Sequence, residues 1–306
     1  MKPDIAIGNW PTMLTPFTLS GSIDYPALER MIEWYIAGGV NGLFAVCQSS
    51  EMFYLALEER VELARFVVEK AAGRVPVIAS GHISERMEDQ LEEIRRIAAT
   101  GIEAFVLVSN RLAAENEDDS VWRRNAEHLL ESVPDIAFGI YECPFPYKRL
   151  LSPELLKWCA DTGRFWFLKD TCCSIDQIRA KLAAVRGTKL KLFNANTATL
   201  LESLQLGAAG FSGIMANFHP ELYTWLLKEW RNTPVQAGVM QGFLTMASYA
   251  ELKLYPANAK YYMQLCGLPI TTVCRSRGSE PLPELQQTEM LQLQAITSYI
   301  KACFGA

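Results

Sequence analysis

Histidine is scarce in this chain of 306 residues: His82, His128 and His219 are the only three. They lie far apart and form no HxH or HExxH pattern, which argues against a His-rich zinc site and against a metal-dependent barrel hydrolase. Basic charge is short as well. Against 34 Asp and Glu there are 29 Lys and Arg, a net −5 with a pI near 5.4, so a globally basic nucleic-acid-binding surface is not expected. The eight cysteines include no CxxC pair, and a chain this long is no small disulfide framework. The longest uncharged stretches, 203–220 and 232–250, carry Gly, Gln, Asn or Ser throughout and read as buried globular segments rather than membrane spans. No apolar run follows a basic start at the N-terminus, so the cytoplasm is the expected compartment.

What is present is a large core. Hydrophobic residues make up 50% and charged residues 21%, with a mean hydropathy of +0.05, the balance of a globular protein. Short apolar runs recur at 11–15, 42–47, 75–79, 104–108, 137–141, 165–169, 189–193 and 210–214. They are rich in Val, Ile, Phe and Leu and nearly free of charge, which suits strands buried on both faces. Amphipathic segments lie between them. The segment 24–37 opens with Asp24 and Pro26 and stops at Gly38-Gly39, and 152–160 opens with Ser-Pro-Glu. Helical patterns over 84–100 and 199–206 end in glycine.

Eight strand–helix units at a period of about 30 residues predict a (β/α)8 TIM barrel. A doubly wound open sheet is the alternative, and the missing GxGxxG at the first helix counts against it. The barrel is expected over 1–231. A C-terminal helical extension is expected over 232–306, with helices at 235–254, 257–266 and 284–303.

Barrel chemistry sits at the C-terminal ends of strands. Lys169 ends the apolar run Phe165-Trp166-Phe167-Leu168. A desolvated lysine there has a lowered pKa, and neutral amine is what attacks a carbonyl to form a Schiff base. Tyr141 ends the preceding strand and could move protons during carbinolamine loss. Ser49 and Ser50 offer hydroxyls and backbone N–H groups suited to a carboxylate. Gln48, Ser212 and Asn194 are further substrate-binding candidates, and His82 and Asn196 also end strands. Each has a bland counterpart: a salt-bridged lysine, a core tyrosine, a serine turn. Cys172 and Cys173 are adjacent, yet read as small apolar residues near a site; Cys47 and Cys143 also lie near strand ends, with no role assigned by the sequence. Glu51 reads as a structural hydrogen-bonding residue. The acidic stretch 115–119 reads as a solvated loop. Gly207, Gly210 and Gly213 read as close helix–strand packing rather than a phosphate cradle.

These residues carry a resemblance. From about residue 9 to 300 the chain resembles the dihydrodipicolinate synthase / N-acetylneuraminate lyase family of pyruvate-dependent class I aldolases. YECP resembles the family's Y-N-V-P and LKDT its K-E/D-[ST]; AAGRVPVIAS and LQLGAAGFSGIMANFHPELY match the approaches to strands 3 and 8. The resemblance implies Lys169 as the Schiff-base residue and Tyr141 as the proton-relay tyrosine. It also implies a homotetramer built as a dimer of dimers, and no metal or other cofactor. The family loop G-[TS]-[TN]-G-E reads Cys47-Gln48-Ser49-Ser50-Glu51 here, so an amide replaces the first hydroxyl. Where the synthase branch carries an arginine, this chain has Pro146, with Arg149 nearby, and no tyrosine follows strand 4. These departures argue against a true dihydrodipicolinate synthase, and sialate lyase is no better supported.

The expected function is a Schiff-base lyase, aldolase or dehydratase acting on pyruvate or another 2-keto acid, with an aldehyde as a candidate second substrate. A second reading is a non-catalytic keto-acid-binding or regulatory homologue. The pocket beyond the pyruvyl position is expected around Asn110, Phe145, Pro146 and Phe218. It reads as less cationic than the synthase pocket, so a second substrate that is not a carboxylate is expected.

Overall fold

The computed structural model describes residues 5–277 and 280–305. Eight strands are formed: β1 (Gly8–Asn9), β2 (Leu43–Phe44), β3 (Val77–Ala79), β4 (Ala104–Val108), β5 (Phe138–Tyr141), β6 (Phe165–Asp170), β7 (Lys191–Asn194) and β8 (Gly210–Phe211). All seven ladders are parallel, in the order β1-β8-β7-β6-β5-β4-β3-β2. The seam between β1 and β2 is closed by backbone bonds, Phe44 N–H to Pro11 O at 3.1 Å and Met13 N–H to Phe44 O at 3.0 Å. The sheet is therefore a barrel, as the strand count predicts.

The first strand differs from expectation. The run 11–15 forms only an isolated bridge, Thr12 to Phe44, and the ladder lies upstream at Gly8–Asn9. Pro11 has no N–H to give a ladder. At this seam Gly210 meets Gly8 so closely that a Cβ on Gly210 would lie 1.9 Å from the Gly8 carbonyl oxygen. Close approach of the two strands' backbones accounts for this glycine, rather than the helix–strand packing expected of it.

Helices follow each strand: α1 (Tyr25–Ala37), α2 (Leu57–Ala71), α3 (Met87–Ala98), α4 (Asp119–Ser132), α5 (Pro153–Asp161), α6 (Ile175–Ala184), α7 (Leu200–Leu206) and α8 (Pro220–Glu229). The expected caps form. The Asp24 carboxylate accepts from Ala27 N–H at 3.0 Å and the Ser152 hydroxyl from Leu155 N–H at 3.1 Å.

Inside the barrel the side chains are aromatic. Trp10 packs on Phe167 and Phe193 at centroid distances of 5.6 and 5.9 Å, and Phe167 stacks on Phe193 at 4.5 Å. Phe44 completes this layer against Phe167 and Tyr141. The layer forms a buried aromatic floor beneath the strand ends.

Three helices follow the barrel: α9 (Pro234–Ala247), α10 (Ala257–Leu265) and α11 (Glu284–Phe304). Gln241 of α9 ties this segment to the barrel, donating to Thr197 O at 2.7 Å and accepting from Leu201 N–H at 3.0 Å. The single helix expected over 235–254 instead stops at Ala247 and tightens into a 3-10 turn over Ser248–Leu252. The Asn258 side chain takes the Ala250 carbonyl at 2.7 Å, and Pro256 cannot continue a helix. The turn brings Glu251 to the mouth of the barrel.

Candidate active site

A cavity of about 500 Å³ opens at the C-terminal end of the barrel. Lys169 and Tyr141 stand in its wall, with Gln48 and Ser49 opposite and Glu251, Tyr255 and Arg277 contributed from beyond the barrel. That volume suits a small organic ligand.

Strand geometry positions the first pair. Tyr141 and Lys169 are register partners across β5 and β6. Phe167 lies two residues before Lys169 on the same face of β6, so the strand's alternation points Lys169 into the barrel above the aromatic floor. Its Nζ sits 4.8 Å from the Tyr141 ring centroid.

Three buried lysines show what is unusual about this one. Lys181 is held by Glu142 at 2.5 Å and Asp170 at 2.6 Å, and Lys260 by Glu51 at 3.0 Å and the Val273 carbonyl at 2.6 Å. Lys169 has no hydrogen bond or ion pair among the described residues, although it is as buried as they are. Asp170, its chain neighbour, is already engaged by Lys181. Burial pushes the Lys169 ammonium down from 10.5 to about 8, against the opposing pull of Cys47, Cys143 and Glu251. Lys181 goes the other way: burial alone would lower it, yet Glu142 and Asp170 raise it. A ring under an ammonium is worth about 0.5–2 kcal/mol, too little to offset the desolvation of Lys169. A salt-bridged barrel lysine is thus what Lys181 is and what Lys169 is not.

The β2 loop forms the facing wall. Gln48 Oε1 accepts from the Tyr141 hydroxyl at 3.2 Å and from Cys143 Sγ at 3.4 Å. The Ser49 hydroxyl donates to Thr12 Oγ1 at 3.2 Å, and the Tyr255 hydroxyl accepts from Asn217 at 2.9 Å. Burial holds Tyr141 and Tyr255 well above 10, so both are phenols at neutral pH. Ser50 does not line the cavity. Its hydroxyl accepts from Cys47 N–H at 2.8 Å and donates to Cys47 O at 2.7 Å, which folds the loop. Glu51, in the left-handed region at φ 62°, binds Lys260 and the Ser276 N–H and hydroxyl, the structural role expected of it.

Other candidates fall outside the cavity. Asn194 donates to Thr199 and Ser203 and accepts from Asn196 N–H, so it shapes the β7–α7 loop. Ser212 is buried with its hydroxyl unpartnered among the described residues. His82 accepts from Val108 N–H at 2.7 Å and pairs with Gln90 at 2.9 Å. Burial lowers it to about 4, leaving a neutral brace between strands. Asn110 points its amide at the carbonyls of Cys143, Phe145 and Tyr147, and so holds the loop containing the cis Phe145–Pro146 bond. Phe145 and Asn196 do line the cavity, whereas Phe218 is buried away from it. Arg149 is spent on Ala114, Glu117 and Asp119.

The cysteines are all free. Burial raises Cys47 and carries Cys143 to about 11 and Cys172 to about 12, so these are neutral thiols; exposed Cys173 lines the cavity rim. Among the described residues no group of three His, Cys, Asp or Glu could hold a metal ion.

Of the residues missed in the sequence, Phe53, Lys148 and Thr171 belong to the barrel, and Glu251, Tyr255, Ser276 and Arg277 come from the extension. Glu251 has no hydrogen bond among the described residues. Burial raises its carboxyl to about 7 against the pull of Lys169.

The chain is similar to known proteins. A sequence model described as the dihydrodipicolinate synthetase family matches residues 7–300. YagE of Escherichia coli K12, provisionally named a 2-dehydro-3-deoxy-D-gluconate aldolase, is 28% identical over 300 residues, covering 96% of each chain. A crystal structure of YagE in complex with pyruvate superposes with a TM-score of 0.85 at 26% identity, over 96% of this chain and 98% of that one. The 4-hydroxy-tetrahydrodipicolinate synthase of Bacillus velezensis is 24% identical over 295 residues, covering 95% of this chain and 99% of its own.

Proposed function

The chain belongs to the dihydrodipicolinate synthetase family, and we propose that its lyase chemistry on pyruvate or a 2-keto acid runs through an imine on Lys169. The bare, desolvated Lys169 amine facing a small cavity carries this reading. At neutral pH roughly a tenth of it is unprotonated, against fewer than one in a thousand for an ordinary lysine. That fraction is the nucleophile.

The 2-keto carbon meets Nζ, and the Tyr141 phenol stands beside the carbinolamine to pass its proton to the departing hydroxyl. The carboxylate lies along the β2 loop, taking the Ser49 hydroxyl and the N–H groups of Ser49 and Ser50. Ser50 and Asn194 support the site by shaping loops, and Gln48 orients Tyr141. The protonated imine draws electrons from the neighbouring carbons, so a bond one carbon away can be made or broken. An aldehyde is the natural second substrate or product. A passive binding protein would have no need of an unpaired buried amine.

The cytoplasm fits eight free cysteines. No helix among the described residues is long and apolar enough to cross a membrane. A homotetramer fits the exposed apolar stripe Val235, Val239, Met246 and Tyr249 along α9 and the turn that follows. The barrel is read as ending near residue 231, with the extension completing the cavity wall.

The test is reductive trapping. Borohydride added with pyruvate leaves a reduced pyruvyl adduct on Lys169, located by peptide mass, and Lys169→Ala abolishes it. No adduct, or one on another residue, overturns the assignment.

A further inference from the structure

The strand pairing that carries Tyr141 and Lys169 is irregular. Phe138 pairs with Phe165, yet Gly139 pairs with Phe167, so Trp166 is an extra residue on β6. Such a bulge disrupts the ladder locally. Two residues further along, Tyr141 stands opposite Lys169, and the next backbone bond, from Glu142 N–H to Lys169 O, is long at 3.3 Å. The sheet alone therefore fixes this pair weakly.

A stronger hold lies on the other face of the same two strands. Alternation turns the chain neighbours of the site residues, Glu142 and Asp170, outward toward α6. Lys181 of α6 joins them, 2.5 Å from Glu142 and 2.6 Å from Asp170, and all three are buried. Glu142 also accepts from Leu151 N–H at 2.9 Å and Thr171 N–H at 3.1 Å, and its carbonyl accepts from the Thr171 hydroxyl at 2.7 Å. Asp170 accepts from Cys172 N–H at 3.1 Å. Three buried charges are a poor source of stability, since apolar residues of like volume often serve as well. A satisfied polar network does fix geometry, because each bond is directed. The sequence bears the same mark: where the motif Y-N-V-P has asparagine, this chain has Glu142, whose longer arm reaches Lys181.

We propose that Glu142 and Lys181 are positioning residues for the chemistry at Lys169. Bridged to Asp170, they clamp the ends of β5 and β6 together and so hold Tyr141 against Lys169, whose Nζ lies 4.8 Å from the ring centroid. This rests on the imine reading above and adds a requirement to it. The clamp touches no substrate and passes no proton. It sets how well the Tyr141 phenol lines up with the carbinolamine, and hence how fast the imine forms. Without it pyruvate still reaches Lys169 and the β2 loop, but the phenol meets the carbinolamine out of line. A displacement of about 1 Å is enough to cost on the order of 100-fold.

The experiment follows the borohydride-quenched rate of adduct formation against pyruvate concentration, which separates the limiting rate from half-saturation. The variants are Lys181→Met and Glu142→Asn, each alone and combined with Tyr141→Phe. Glu142→Asn withdraws the β5 arm but leaves Lys181 its Asp170 partner, so it tests the clamp even where Lys181→Met does not fold. With Tyr141 present, each variant should lose about 10- to 100-fold in limiting rate, with half-saturation within a few-fold. In the Tyr141→Phe background the same changes should cost less than about 3-fold, because no phenol is left to misplace. An unchanged limiting rate, an equal loss in both backgrounds, or a change in half-saturation alone would mark a merely structural bridge and overturn the proposal while leaving the imine reading in place. No adduct in the unaltered protein overturns the imine reading, and the proposal with it.

Discussion

Replacing Lys169 by methionine should make the protein more stable at neutral pH while removing its chemistry. The Lys169 ammonium is lowered from 10.5 to about 8 by burial above the aromatic floor. Its folded pKa lies below its unfolded one, so between those values the unfolded chain binds the extra proton. Stability therefore rises with pH across that window: the penalty is full below about pH 8 and gone above about 10.5. At ~1.4 kcal/mol per unit, the charged amine costs the fold ~3 kcal/mol at pH 7 and ~1.5 kcal/mol at pH 9.5. Methionine fills similar space without the charge and should recover that amount. Chemical unfolding of both proteins at about pH 7 and about pH 9.5, at one protein concentration, isolates the effect. Any packing change from the substitution is the same at both pH values and cancels in the difference. The expected result is a gain that shrinks by roughly half toward high pH. A gain that does not change with pH, or a loss at pH 7, refutes the claim that Lys169 is held charged against its surroundings.

The neighbouring lysine gives the opposite expectation. Lys181→Met strands Glu142 and Asp170 without their shared partner and should cost about 3–5 kcal/mol in the same unfolding assay. Tyr141→Phe removes one hydrogen bond to Gln48 and should leave pyruvate binding within a few-fold. The rate of adduct formation, followed by quenching with borohydride over time, should fall by about 100-fold or more.

The fold was legible where residue type and environment agree. The runs 104–108 and 165–168 are uninterrupted apolar stretches, and they became the longest strands because their faces are largely buried. The first strand was misplaced because apolar content marks burial, whereas a ladder also needs N–H groups, which Pro11 lacks. Lys169 and Tyr141 could be found because each ends a strand, and barrel geometry converts strand ends into a shared layer. Asn194 and His82 end strands too, but their polar atoms are taken by nearby loops and amides, a competition that strand position alone does not reveal. Glu251, Tyr255 and Arg277 lay out of reach for a different reason. They follow the eighth unit by tens of residues, and a helix was expected to run straight past Glu251. The 3-10 turn that swings it over the cavity depends on the Asn258 contact with Ala250, which no local periodicity encodes.

The loop after β2 sharpens why the extension matters chemically. A hydroxyl at position 48 could receive the Tyr141 proton and hand on its own, linking the phenol to the rest of the loop. Gln48 instead offers Oε1, which accepts from Tyr141 and Cys143 together and has nothing to release. Cys143 adds no outlet, since burial keeps it a thiol to about 11. Tyr141 can still exchange a proton within a bound carbinolamine, where donor and acceptor are both in reach. It cannot drain one away from the cavity. The chemistry itself releases no net proton, so Tyr141 has only to return within the cavity what it takes, and the unpaired Glu251 carboxyl of the extension lines the same cavity.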